Sequence, residues 1–82
     1  REVAKRGGRA LKFISPGWSG APDRLVLLPG GKIIFVELKA PGKKPRPLQL
    51  KRHEELRRLG FHVEVIDSPE GVDEFIRRWA GE

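Results

Sequence analysis

The chain has 82 residues, 17 of them Lys or Arg against 11 Asp or Glu, for a net charge of +6, and it contains no cysteine. That length supports one domain spanning 1–82 with a modest core, and the absence of thiols excludes disulfides and thiolate metal sites and suits a reducing, cytoplasmic setting. No apolar run approaches the ~20 residues that span a bilayer, and the first residues carry no signal-peptide pattern, so no membrane partner is expected; the basic excess favours a polyanion, with nucleic acid leading.

In chain order, residues 1–6 are helix formers, and Gly7-Gly8 reads as the stop of a first helix whose earlier turns lie upstream of Arg1. Residues 9–15 carry Ala10, Leu11, Phe13 and Ile14 and predict a strand ending at Pro16. Residues 15–22 hold two Gly and two Pro and predict a loop that delivers the chain to Asp23.

Two apolar runs follow, 22–28 and 32–39, joined through Pro29-Gly30-Gly31, and together they predict a β-hairpin. A loop centred on Gly30 pairs residues whose numbers sum to 60, so Asp23 faces Glu37, and Lys39, two residues on, shares that face. Both faces of the hairpin are apolar, which predicts a sheet covered on both sides. Two carboxylates and an ammonium among such flanks need compensation, from a bound cation or from Lys39 itself.

After a basic linker with three prolines, a helix is expected from 47 to 59, stopped by Gly60. Its wheel places Leu48, Leu56 and Leu59 on the buried stripe, Gln49 and Arg52 toward the sheet, and Leu50 opposite. By helix geometry alone Gln49 reads as a solvated flank residue rather than as a site residue. Residues 61–66 alternate as a half-buried strand, and Ser68-Pro69 caps a last helix with the stripe Val72, Phe75, Ile76 and Trp79. The sum is an α/β fold, a mixed β-sheet flanked by helices in the order α-β-β-β-α-β-α, whose crossover helix implies one parallel strand pair.

A carboxylate pair across a hairpin can hold Mg²⁺ or Mn²⁺, which take oxygen ligands and keep waters for a phosphate and an attacking nucleophile, and a lysine beside the metal would orient that water. Taken alone, Glu37 with Lys39 reads as a surface ion pair. Lys43, Lys44, Arg46, Lys51 and Arg52 after the hairpin are candidate phosphate contacts, and Lys12 and Ser15 border the site in sequence. Trp18 would either stack on a base or cap the core. His53 and His62 lack a second histidine at ligand spacing and read as surface or partly buried residues rather than ligands.

Gly20-Ala21-Pro22-Asp23, Glu37-Leu38-Lys39 and Gln49 resemble the PD-(D/E)XK nuclease superfamily, and Gly7-Gly8, Leu11-Lys12-Phe13 and Ser15-Pro16-Gly17 resemble its VRR-NUC branch. The resemblance implies a restriction-endonuclease-like core and a divalent-metal-dependent DNA endonuclease. Asp23, Glu37 and the carbonyl of Leu38 would hold Mg²⁺ or Mn²⁺, Lys39 would serve the nucleophilic water, and Gln49 would contribute from the helix. The first-helix acid of that family would fall to Glu2. It further implies branched DNA such as four-way junctions or flaps as substrate, a homodimer, and a phage or bacterial origin; the alternative is a catalytically silent DNA-binding module on the same fold.

Overall fold

The computed structural model describes residues 2–81. The elements run α1 (Glu2–Lys5), β1 (Arg9–Lys12), β2 (Arg24–Leu28), β3 (Lys32–Leu38), α2 (Pro47–Arg58), β4 (His62–Ile66) and α3 (Pro69–Trp79), the order the sequence pattern predicts. The four strands form one sheet in the order β1-β2-β3-β4. β1, β2 and β3 are antiparallel neighbours and β4 joins β3 in parallel, as a crossover through α2 requires.

The hairpin register is the one its turn dictates. Arg24 pairs with Val36, Leu25 with Phe35 and Leu28 with Lys32, all summing to 60. Gly30 and Gly31 both take positive φ, 87° and 78°, which a right-twisted two-stranded ribbon needs at its turn and other residues resist.

One sheet face is the apolar core. Val26, Leu28, Ile34, Val36 and Ile66 meet Val3 of α1 and Phe75 and Ile76 of α3, with Val72 and Trp79 packed at the margin. The stripe predicted for α3 is therefore the one it buries. Its start is fixed by Ser68, whose side chain accepts a hydrogen bond from the Gly71 amide at 3.0 Å, with Pro69 in the first helical position.

The other face is covered only in part, which corrects the expectation of a sheet closed on both sides. α2 lies over the β3–β4 half, and Phe13, Phe35 and Phe61 stack edge to face at 5.6 and 5.7 Å, but Leu11 and Ile33 stay 38% and 41% exposed. β1 is also shorter than predicted: its last ladder bond runs from the Phe13 amide to the Asp23 carbonyl, and Ile14 is 71% exposed.

The wheel for α2 is corrected as well. Its inward face carries Gln49, His53 and Leu56, spaced i, i+4, i+7, whereas Leu48 and Leu59 are 43% and 74% exposed. A helix packed over a carboxylate turns polar partners inward, and the apolar pattern stops marking the buried side.

Candidate active site

The open end of the hairpin gathers the charged residues. Extending the β2–β3 register by one residue sets Asp23 opposite Glu37, on the face that α2 covers. The backbone around them is pinned on three sides: the Phe13 amide donates to the Asp23 carbonyl at 2.9 Å, the Lys39 amide donates to the Ile66 carbonyl at 2.9 Å, and the Leu38 amide donates to Asp23 Oδ1 at 3.2 Å. Asp23 thus ties the two strands together through its own side chain.

Glu37 is 3% exposed, an unusual burial for a carboxylate, and its partners account for it. Gln49 Nε2 donates to Oε2 at 3.3 Å, His53 Nε2 lies 3.3 Å from Oε1, and Lys39 Nζ approaches Oε2 at 4.0 Å. The orientation of the Gln49 amide follows from its second contact, since Oε1 accepts the Arg46 amide at 2.8 Å; with the oxygen on a donor, the NH₂ group must face the carboxylate. Gln49 therefore does two jobs, closing the first turn of α2 and reaching the sheet.

His53 is fully buried, and its Nδ1 has no hydrogen-bond partner among the described residues. A carboxylate only accepts, so the proton facing Glu37 sits on Nε2. The full burial of His53 corrects the expectation of a surface or partly buried histidine. The sequence signal for it is the spacing Gln49-x-x-x-His53, which places two polar side chains one turn apart on one face.

The Gly-rich loop leans on α2 through Gly20, whose φ is +86° and whose position leaves no room for a side chain: a Cβ there would stand 2.8 Å from Leu48 Cγ and 3.2 Å from the Leu48 carbonyl oxygen. Arg52 holds the same loop, donating from Nε to the Ser19 carbonyl at 2.8 Å, pairing with Glu55 at 3.0 Å and lying 5.1 Å above the Trp18 ring. Trp18 and Arg52 are therefore engaged with each other. Ser15 is half-buried and its carbonyl accepts the Trp18 amide, while Lys12, Lys43, Lys44, Arg46 and Lys51 are exposed.

Glu2 opens α1. It pairs with Lys5 at 3.5 Å and lines a cavity of about 290 Å³ over the core-side face with Val3, Arg24, Val36 and Leu38. Among the described residues, no three His, Asp or Glu side chains converge as a metal cluster. The metal donors at the open end of the hairpin are hard oxygens: the carboxylates of Asp23 and Glu37, opposed by register, and the main chain between Glu37 and Lys39. That set suits Mg²⁺ or Mn²⁺, and Glu37, with one protein donor on each oxygen, keeps a lone pair on each for a cation.

No protein-family model matches the chain. It is 64% identical over 67 residues, 82% of its length and 72% of the other's, to "Putative nuclease p44" of Acyrthosiphon pisum secondary endosymbiont phage 1. Among solved structures it superposes on a VRR-NUC domain with a TM-score of 0.88 and 43% identity, over 95% of this chain and 85% of that one. Two such matches, covering the loop, the hairpin and α2 alike, mean that the chain belongs to the VRR-NUC family of nuclease domains.

Proposed function

We propose that this nuclease domain is an Mg²⁺- or Mn²⁺-dependent endonuclease that hydrolyses DNA phosphodiester bonds at the open end of the β2–β3 hairpin. The observation that carries the reading is the burial of Glu37 opposite Asp23 with Lys39 at 4.0 Å. A buried carboxylate beside a second one costs stability unless a cation joins them, and one lysine neutralises only half of the pair. Asp23, Glu37 and the Leu38 carbonyl would hold the metal, which when bound supplies Lewis acidity toward the phosphate and a more acidic water. Lys39, with its ammonium at the edge of the pair, orients the water and offsets charge that builds on the phosphate oxygens. The exposed Lys43, Lys44, Arg46 and Lys51, with Lys12 across the loop, bind the DNA backbone by charge. Among the described residues no helix offers a base-reading face, which favours selection by DNA structure, with four-way junctions and flaps ahead of linear duplex.

The half-covered sheet face supports a homodimer. Leu11, Ile33 and Phe61 are 38%, 41% and 40% exposed over the aromatic ladder, an apolar surface that a second copy would bury and that would give two cutting sites per particle. A second reading, a DNA-binding module without cleavage, draws on Glu2, which pairs with Lys5 and lines the cavity over the core-side face. Labelled junction, flap and linear duplex, each with Mg²⁺, Mn²⁺ or EDTA, separate the two. Metal-dependent cutting of branched DNA is the expected result, and binding without cutting in every metal would favour the module.

A further inference from the structure

We infer that His53 is a positioning residue for Glu37: it and Gln49 form a two-point clamp from one face of α2 that presets the carboxylate for a divalent cation. The inference rests on the metal-dependent reading above and adds a residue to it. Gln49 and His53 are separated by one helical turn and each donates to a different oxygen of the same carboxylate, Nε2 of Gln49 to Oε2 and Nε2 of His53 to Oε1, both at 3.3 Å. A glutamate has three rotatable bonds whose freedom must be given up to fix its head group. One donor would leave the carboxylate free to swing about that contact; two, on both oxygens, set its plane and its direction.

The burial pattern argues the same way. His53 is completely buried and Glu37 nearly so, on a helix face where Leu56 supplies the next contact one turn on. A core position asking only for volume would be served by a second leucine, whereas the imidazole leaves Nδ1 without a partner among the described residues. What the ring provides that leucine would not is the single N–H on Oε1. Groups that hydrogen-bond a ligating side chain commonly contribute 10–100-fold to metal affinity or activity.

Two amide variants separate positioning from mere packing. In His53→Gln the amide nitrogen falls where Nε2 stands, within reach of Glu37; in His53→Asn it falls where Nδ1 stands, too short to reach. Metal affinity is read by Mn²⁺ titration calorimetry and by the Mn²⁺-dependent rise in melting temperature, each variant compared with its own metal-free form so that a loss of basal stability cancels. Cleavage of a junction substrate at saturating Mn²⁺ gives kcat and KM separately. The expected result is a Mn²⁺ affinity within about 3-fold of wild type for His53→Gln and weaker by about 10–100-fold for His53→Asn, with KM for DNA unchanged in both. Equal Mn²⁺ affinity in the two variants overturns the positioning role while leaving the metal site in place. A wild-type chain that gains no stability from Mn²⁺ and binds none overturns the metal site and the positioning role together.

Discussion

Gly20→Ala tests how the loop is seated on α2, and Gly17→Ala is its internal control. Both glycines sit at nearly the same backbone angle, φ +86° and +80°, so both pay the left-handed penalty of an L-residue, about 1–2 kcal/mol. Both also gain the same small benefit from a stiffer unfolded chain, so the two effects cancel on comparison. The difference is space: nothing lies within 4 Å of a Cβ at Gly17, whereas at Gly20 it meets Leu48 Cγ at 2.8 Å, the Leu48 carbonyl oxygen at 3.2 Å and Arg52 Cγ at 3.3 Å. The Leu48 side chain is 43% exposed and can swing aside, but its carbonyl belongs to the first turn of α2 and cannot move alone. Overpacking of this kind costs about 1–3 kcal/mol beyond the angle. In a domain of this size each kcal/mol lowers the melting temperature by roughly 4–8 °C, so Gly20→Ala should melt at least that much below Gly17→Ala. Because Gly20 is three residues from Asp23, Gly20→Ala should also slow cleavage at temperatures where the protein remains folded. Equal destabilisation by the two substitutions, measured by urea or thermal unfolding, would refute the close-packed loop.

Further expectations follow from other contacts. Ser68→Ala removes the cap on the Gly71 amide and should cost about 1 kcal/mol in urea unfolding while leaving the cleavage rate unchanged, because α3 lies on the sheet face away from Glu37. Replacing Lys43 and Lys44 together with alanine should weaken DNA binding alike for all sequences and make the slope of log K against log salt shallower by about 2; an unchanged slope would remove them from the interface. Ile33→Lys, on the open apolar face, should shift sedimentation from dimer to monomer without loss of secondary structure, and a wild type that sediments as a monomer at every concentration would discard the dimer.

The hairpin was legible because its determinants are local. A Pro-Gly-Gly turn fixes the loop, the loop fixes the register, and period-two alternation then sets Asp23, Glu37 and Lys39 on one face before any tertiary contact is known. The last helix was legible for a similar reason, since its Ser68 cap and its stripe of Val72, Phe75, Ile76 and Trp79 point to the same face. α2 was not. Its leucines suggest a core stripe, yet Leu48, Leu50 and Leu59 face outward, and the buried side is the polar pair that meets Glu37. Hydrophobic periodicity reads the side that avoids water, and it fails where a helix is held by hydrogen bonds to a buried charge. The end of β1 is not legible because its apolar run continues through Ile14, which is 71% exposed, past the last ladder bond from the Phe13 amide to the Asp23 carbonyl. The position of Glu2 depends on how α1 sits over the core-side face, which four helical residues do not encode.

The most direct test is the single-turnover rate of junction cleavage in Mn²⁺ for wild type, Glu37→Gln and Lys39→Met, with Mn²⁺ binding measured on the same samples. Glu37→Gln should lose both Mn²⁺ binding and cleavage, while Lys39→Met should keep Mn²⁺ and slow by about 10²–10⁴-fold, the usual contribution of a positioned group acting on the proton or charge of the reacting water. Cleavage by Glu37→Gln at the wild-type rate, or cleavage by wild type undiminished in EDTA, would contradict metal-dependent cleavage at Glu37.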